Sequence, residues 1–206
     1  MSDVLRLTWD RLAPGGRLTL PALNRVLYVL DGALALDGVQ VDANEARHDT
    51  RACSVIAGSA GATVLRYELV RAGTPSPAAL LEHTLRLDPS ADYLMRCDRV
   101  DFDPGGEAMP HRHQGGGIRC LIAGALELRV EGEPDRTIAP GQAWFESGRE
   151  VVHARASSTE PTSFIRCAIL PRAIRGRTSI MYADPVHAVV KPRRYTVFVD
   201  VPIERP

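Results

Sequence analysis

The chain is 206 residues long, and its 25 basic and 25 acidic side chains cancel to a formal net charge of zero. That balance leaves no electrostatic footprint for nucleic acid or an anionic membrane surface, and no apolar run approaches the roughly eighteen residues needed to span a bilayer. Met1-Ser2-Asp3-Val4 lacks the charged and apolar regions of a signal peptide, so a soluble, cytoplasmic protein with neither nucleic acid nor membrane as partner is expected.

In chain order the segments read as short strands: Arg17 to Leu20, Arg25 to Leu30, Ala33 to Leu36, Val64 to Val70, Ile118 to Ile122, Leu126 to Val130 and Phe164 to Leu170. Turn residues separate them, as in Pro14-Gly15-Gly16, Asp37-Gly38, Pro104-Gly105-Gly106 and Pro140-Gly141. Many short strands at close spacing argue for an all-β sandwich or barrel. Only Ser76 to Leu87 has helical character, with Pro77 near its start and Ala78, Leu81 and Leu85 at helical spacing. Cys53, Cys97, Cys120 and Cys167 are scattered singly, without a CxxC pair, and read as reduced, buried small hydrophobes.

Two parts of the chain resemble each other. Setting Gly32 against Gly124 aligns Arg25 to Leu36 with Gly117 to Leu128, and a Pro-Gly-Gly turn precedes each copy at nearly the same distance. Duplication predicts a first half at 1–72, a linker with a short helix at 73–95, a second half at 96–171 and an extension at 172–206 with one strand.

The chemistry sits in the second copy. In His111-Arg112-His113 two imidazoles stand at i and i+2, so on a strand both point to one face. His153, within Val151-Val152-His153-Ala154, supplies a third. Three imidazoles suffice for a divalent metal with open positions.

These residues sit in a frame that resembles the cupin family, whose first motif reads G-x5-H-x-H-x3,4-E-x6-G. Gly105, His111, His113 and Gly124 fall in register, and Gly117 stands where many cupins carry glutamate. The second motif, G-x5-P-x-G-x2-H-x3-N, is matched loosely by Gly141 to His153: Ser147-Gly148-Arg149-Glu150 replaces the proline turn, one residue is added before the histidine, and Ser157 replaces asparagine. The resemblance implies a bicupin, two double-stranded β-barrels joined by a short helical linker, with one metal held by His111, His113 and His153. Among cupins, three-histidine sites are associated with iron-dependent dioxygenases, which favours Fe(II), with Zn, Mn or Ni as alternatives. The competing expectation is a non-redox isomerase, lyase or small-carboxylate-binding protein.

Strand parity extends the site. If His111, His113 and Gly117 face inward, so do Arg119 and Leu121, which makes Arg119 a candidate catalytic anchor for an anionic small-molecule substrate, or else the partner of an internal carboxylate such as Glu127. Trp144 and Phe145 are expected to wall the pocket, and Arg155 to share the face of His153. Under the same alignment the ligand histidines become Thr19 and Pro21 in the first copy and the glutamate position becomes Arg25, so that copy reads as structural or as a homodimer surface. His48 reads as surface or loop. The basic stretch Arg172, Arg175, Arg177, His187, Lys191, Arg193 and Arg194 reads as a solvated tail covering the N-terminal half, with rimming of the pocket as the alternative.

Overall fold

The computed structural model describes residues 2–76, 78–189 and 193–204. They form two compact units, one running to Ser90 and including Glu204, the other spanning Ala91–Ile203. Among the described residues there is no α-helix, only two short 3-10 turns at Arg172–Ile174 and Pro185–Val189, and no helix long and apolar enough to cross a membrane.

The first unit holds β1 (Asp3–Leu12), β2 (Arg17–Leu20), β3 (Asn24–Leu36), β4 (Val39–Asp42), β5 (Ala46–Asp49), β6 (Cys53–Arg71) and β7 (Ala79–Leu85) in one sheet of order β4-β3-β6-β1-β7. In addition β2 pairs with β6 and β5 with β3. The long strand β6 thus serves β1, β2 and β3 in turn. Its inward residues Val55, Ala57 and Val64 join Leu20, Leu27, Val29 and Leu34 in one apolar cluster.

The second unit holds β8 (Tyr93–Phe102), β9 (Glu107–His113), β10 (Gly117–Ala123), β11 (Leu126–Val130), β12 (Arg136–Ile138), β13 (Ala143–Glu146), β14 (Val152–Ala156), β15 (Thr162–Pro171), β16 (Ile180–Tyr182) and β17 (Arg193–Ile203). They make two five-stranded sheets, β13-β10-β15-β8-β17 and β12-β11-β14-β9-β16. Alternation along each strand sends one set of side chains between the sheets, where Phe102, Leu121 and Trp144 of the first meet Leu126, Leu128 and Val152 of the second.

Matching details recur in the two units. Gly16 donates to the Ala13 carbonyl at 2.8 Å across one Pro-Gly turn, and Gly106 to the Asp103 carbonyl at 2.9 Å across the other. Gly32 and Gly124 both carry positive φ, +75° and +72°, and both lie against backbone that a Cβ would strike.

Three expectations are corrected. Ser76 to Leu87 is not a helix: Ala79–Leu85 is strand β7, antiparallel to β1 with Leu81 opposite Leu7. A segment this short cannot sustain a helix alone, and the open edge of β1 offers it backbone partners; Pro77 lies outside the described residues. The end of the basic extension is a paired strand rather than a solvated tail, since β17 runs along β8 of the second unit; Lys191 lies outside the described residues. His48 stands on β5 opposite Val26, half-buried, where burial lowers its pKa. All four cysteines are free and buried.

Candidate functional site

Strand β9 turns His111 and His113 between the two sheets, leaving them 4% and 8% exposed while Arg112 between them faces solvent. Their rings stand perpendicular with centroids 4.8 Å apart. His111 Nδ1 lies 2.7 Å from the Met109 carbonyl. A carbonyl only accepts, so Nδ1 carries the proton and Nε2 keeps its lone pair. His113 Nδ1 is buried without a hydrogen-bond partner among the described residues. Burial, reinforced by the charge of Arg193, brings His111 down to about 4. Burial brings His113 to about 3 against the opposing pull of the neighbouring Glu146 carboxylate. Both imidazoles are therefore neutral at physiological pH.

Strand β13 adds the carboxylate. Alternation in Ala143-Trp144-Phe145-Glu146 buries Trp144 and Glu146 on one face. Glu146 Oε2 lies 3.2 Å from His113 Nε2 and 2.8 Å from Arg119 Nη2, yet takes part in no well-directed hydrogen bond. Its Oε1 accepts from Trp144 Nε1 at 2.8 Å. Burial pushes this carboxyl up, but the Arg119 guanidinium, the nearby His113 ring and the Trp144 hydrogen bond outweigh it and hold the group ionised, well below the usual range.

Arg119 is fixed three ways. Besides Glu146, it donates to the Gly117 carbonyl at 2.6 Å and to the Glu146 carbonyl at 3.4 Å. Burial lowers its pKa to about 10, which leaves it charged. Behind it Arg166 forks onto Asp98 at 3.1 and 2.5 Å, and that ion pair raises the Arg166 pKa in spite of burial. Arg193, from β17, completes the charged wall. Its Nε donates to the Tyr195 hydroxyl at 2.5 Å, and its guanidinium stands 5.9 Å from the Phe102 ring centre. Val100, Leu126, Leu128 and Phe164 supply an apolar lining. The space these groups enclose is about 20 Å³, room for one water-sized group.

The sequence expectations distribute unevenly over this pocket. His111, His113, Arg119 and Trp144 line it, and Leu121 lies in the apolar cluster alongside. Phe145 does not, since it stands opposite Ile118 on the other face of the sheet. His153 is not brought to the other two histidines. It faces out of β14 with Arg155 into a separate pocket of about 50 Å³ shared with Glu107, Glu127 and Arg129, its Nε2 2.6 Å from Glu107 Oε1. The residue added before His153 is the cause. In a strand a one-residue slip reverses every side chain, so Val152 takes the inward place opposite His111.

Gly117 is likewise not a vacancy. A Cβ there would meet Ala168 Cβ and the Cys167 carbonyl, each at 2.7 Å, so the glycine is required by the approach of β15. Arg119 does pair with an internal carboxylate, but with Glu146 rather than Glu127, which faces outward beside Arg155. Sequence reading missed Glu146 and Arg166, and it names Arg193 only within the basic stretch, whose rimming of the pocket is the alternative to a solvated tail; Arg193 does line the pocket. Parity with Trp144 could have found Glu146; which arginine of the stretch enters the pocket is out of reach of any local pattern.

Among the described residues no three His, Cys, Asp or Glu side chains are placed so that together they could hold a metal ion. The donor chemistry of His111, His113 and Glu146 nevertheless fits a divalent cation. Two imidazoles are held neutral, one carboxylate is held ionised, and His113 Nδ1 and Glu146 Oε2 are buried without directed hydrogen bonds. Two histidines and one carboxylate with open positions form the facial triad of non-haem iron sites.

No protein-family model matches the chain, and no curated protein matches it. Solved structures do. The chain is similar to AerE from Microcystis aeruginosa, with a TM-score of 0.60 at 17% identity over 82% of this chain and 88% of that one. Oxalate decarboxylase from Bacillus subtilis gives 0.65 at 12% identity, covering 92% of this chain and 72% of that one. A cupin 2 conserved barrel domain protein from Leptotrichia buccalis gives 0.50 at 15% identity, covering 80% and 83%. At these identities the likeness concerns the backbone, and with the facing sheets of the second unit it establishes that the chain has the cupin β-barrel fold.

Proposed function

We propose that the second unit is a metal-dependent cupin site acting on a small organic anion, with His111, His113 and Glu146 as the metal ligands. The chain as a whole is then read as a duplicated cupin pair whose first copy has lost the site. The observation that carries the proposal is the inward pair of buried, neutral imidazoles beside an ionised carboxylate. A bound divalent metal supplies Lewis acidity and open positions for an anionic substrate.

The chain's own residues do the positioning. The Met109 carbonyl fixes the ring of His111, Arg119 and Trp144 hold Glu146 in place, and the apolar lining excludes water, which strengthens each charged contact. Fe(II) and dioxygenase chemistry stay the finer form of this reading, now on a facial triad in place of three histidines. That activity is a proposal that bound-metal analysis and oxygen uptake with diketones, catechols and thiols test together.

Metal analysis of the purified chain is expected to find one divalent ion, lost in His111→Ala and His113→Ala and retained in His153→Ala. Retention by the first two variants would end this reading. A second reading is favoured by one observation: Glu146 is already engaged by Arg119 and Trp144. In that case the pocket binds a carboxylate without metal, and the wild-type chain carries no ion after purification in metal-supplemented buffer.

A further inference from the structure

We propose that Arg193 is the group that recognises the substrate, by taking a carboxylate of a small organic anion on its two terminal nitrogens. This deepens the reading of the second unit as an anion site and rests on it. Arg119, the anchor expected from sequence, has no free donor fork to offer. It is spent on Glu146 and on the carbonyls of Gly117 and Glu146. Arg166 is equally occupied, forked on Asp98 and donating to Ser179 Oγ at 3.3 Å.

Arg193 differs. It is 9% exposed, it lines the pocket that holds His111 and His113, and its Nη1 and Nη2 are buried without a hydrogen-bond partner among the described residues. The Tyr195 hydroxyl at Nε, with the Phe102 and Tyr195 rings 5.9 and 5.5 Å away, sets the plane of the guanidinium and leaves the two terminal nitrogens for something else. Among the described residues Arg119 is paired with Glu146 and Arg166 with Asp98, whereas Arg193 has no carboxylate partner. A buried guanidinium without a counter-charge is costly, and its fork matches one ligand type above others, a planar carboxylate. The space of about 20 Å³ beside the imidazoles has room for one water-sized group, so no more of the ligand than a single carboxylate oxygen enters it.

The test is binding of acetate, oxalate and neutral acetamide to the full chain after chelator treatment, followed by calorimetry or NMR titration, with metal content and melting temperature recorded in parallel. Wild-type chain is expected to bind the carboxylates and not acetamide. Arg193→Gln is expected to lose at least about tenfold in carboxylate affinity with unchanged metal content, and Arg193→Lys, which keeps the charge but not the fork, to fall between. Equal carboxylate binding by wild type and Arg193→Gln, or none by wild type, overturns the assignment. Should Arg193→Gln fail to fold, the Lys variant and Tyr195→Phe, which frees the guanidinium plane, decide on the same criterion. Because the titration is done without metal, loss of the metal reading leaves its outcome intact.

Discussion

The two units carry opposite side chains at matching places in their strands. In the first, Arg25 is fully buried at the start of β3, opposite Glu68 in register and 3.3 Å from its carboxylate, and it donates to the Arg51 carbonyl at 2.9 Å and to the Pro21 carbonyl. The corresponding place in the second unit is Gly117, pressed against Ala168. Strand β2 turns Leu18 and Leu20 to the core and leaves Thr19 exposed, whereas β9 turns in His111 and His113. One copy closes its interior with an ion pair that is satisfied internally. The other keeps a buried charge, two neutral imidazoles and a small space. Which residues alternate inward decides whether the interior is filled or keeps a small polar space.

That contrast predicts an asymmetry toward acid, the largest effect expected. The unfolded chain takes up protons at its histidines near 6.5, the ordinary value, whereas His111 and His113 stay neutral in the fold down to about 4 and about 3. The unfolded state binds more protons in that window, so stability falls as pH drops from about 6.5 toward 4, by roughly 3 kcal/mol or more for each imidazole. Glu146, held ionised in the fold, adds to the loss in the same direction below the ordinary carboxylate range. Trp144 lies in the second unit and Trp9 in the first, so the fluorescence of a Trp9→Phe chain stripped of metal reports this loss alone. A flat acid limb between pH 6.5 and 4.5 would show that the histidines are not buried as described.

Breaking each internal ion pair comes next. Glu68→Ala strands Arg25 and removes the 2.5 Å contact to Arg66, and Glu146→Ala strands Arg119. Each leaves a buried guanidinium uncompensated and is expected to cost about 3–5 kcal/mol in denaturant unfolding. The comparison is sharpened by what else changes. Only Glu146→Ala should alter metal content, and an equal effect from Glu68→Ala would place a ligand site in the first unit as well.

How far the fold was legible follows from where the information lies. Arg17–Leu20 and Leu126–Val130 read as strands because their alternation and bounding turns are local. His111 and His113 share a face by the same local rule. Ser76 to Leu87 failed because its apolar spacing fits a helix, while the deciding factor, the free edge of β1, lies some seventy residues away. His153 failed on counting. The extra residue before it was visible in the motif, but its consequence, a reversed face, appears only when Val152 is seen opposite His111. Arg193 enters from a strand that pairs with β8, a partnership no periodicity announces.

Gly117 separates the motif-based reading from the packing one at smaller scale. If it were an empty ligand position, Gly117→Ala would be tolerated and Gly117→Glu would strengthen metal binding. The 2.7 Å approaches of Ala168 Cβ and the Cys167 carbonyl predict instead that Ala costs about 1–3 kcal/mol by overpacking, that Glu costs more, and that neither raises metal affinity. Thermal melts of the two variants check this, and a neutral Gly117→Ala would restore the vacancy.

The smallest stability effect belongs to His153 and carries the sharpest test of the register. Its contact with Glu107 is partly exposed, 23% and 37% for the two side chains, so His153→Ala is expected to change stability by no more than about 1 kcal/mol and metal content not at all. Exchanging the two neighbours, Val152→His with His153→Val, moves the imidazole across the strand to the place opposite His111 without changing composition. If the slip is what removed the third histidine from the pocket, this double variant binds divalent metal at least about tenfold more tightly than wild type, because a third imidazole then joins the other two. Stronger binding in His153→Ala, or weaker binding in the exchange, would mean that the inward face of β14 is not where Val152 stands.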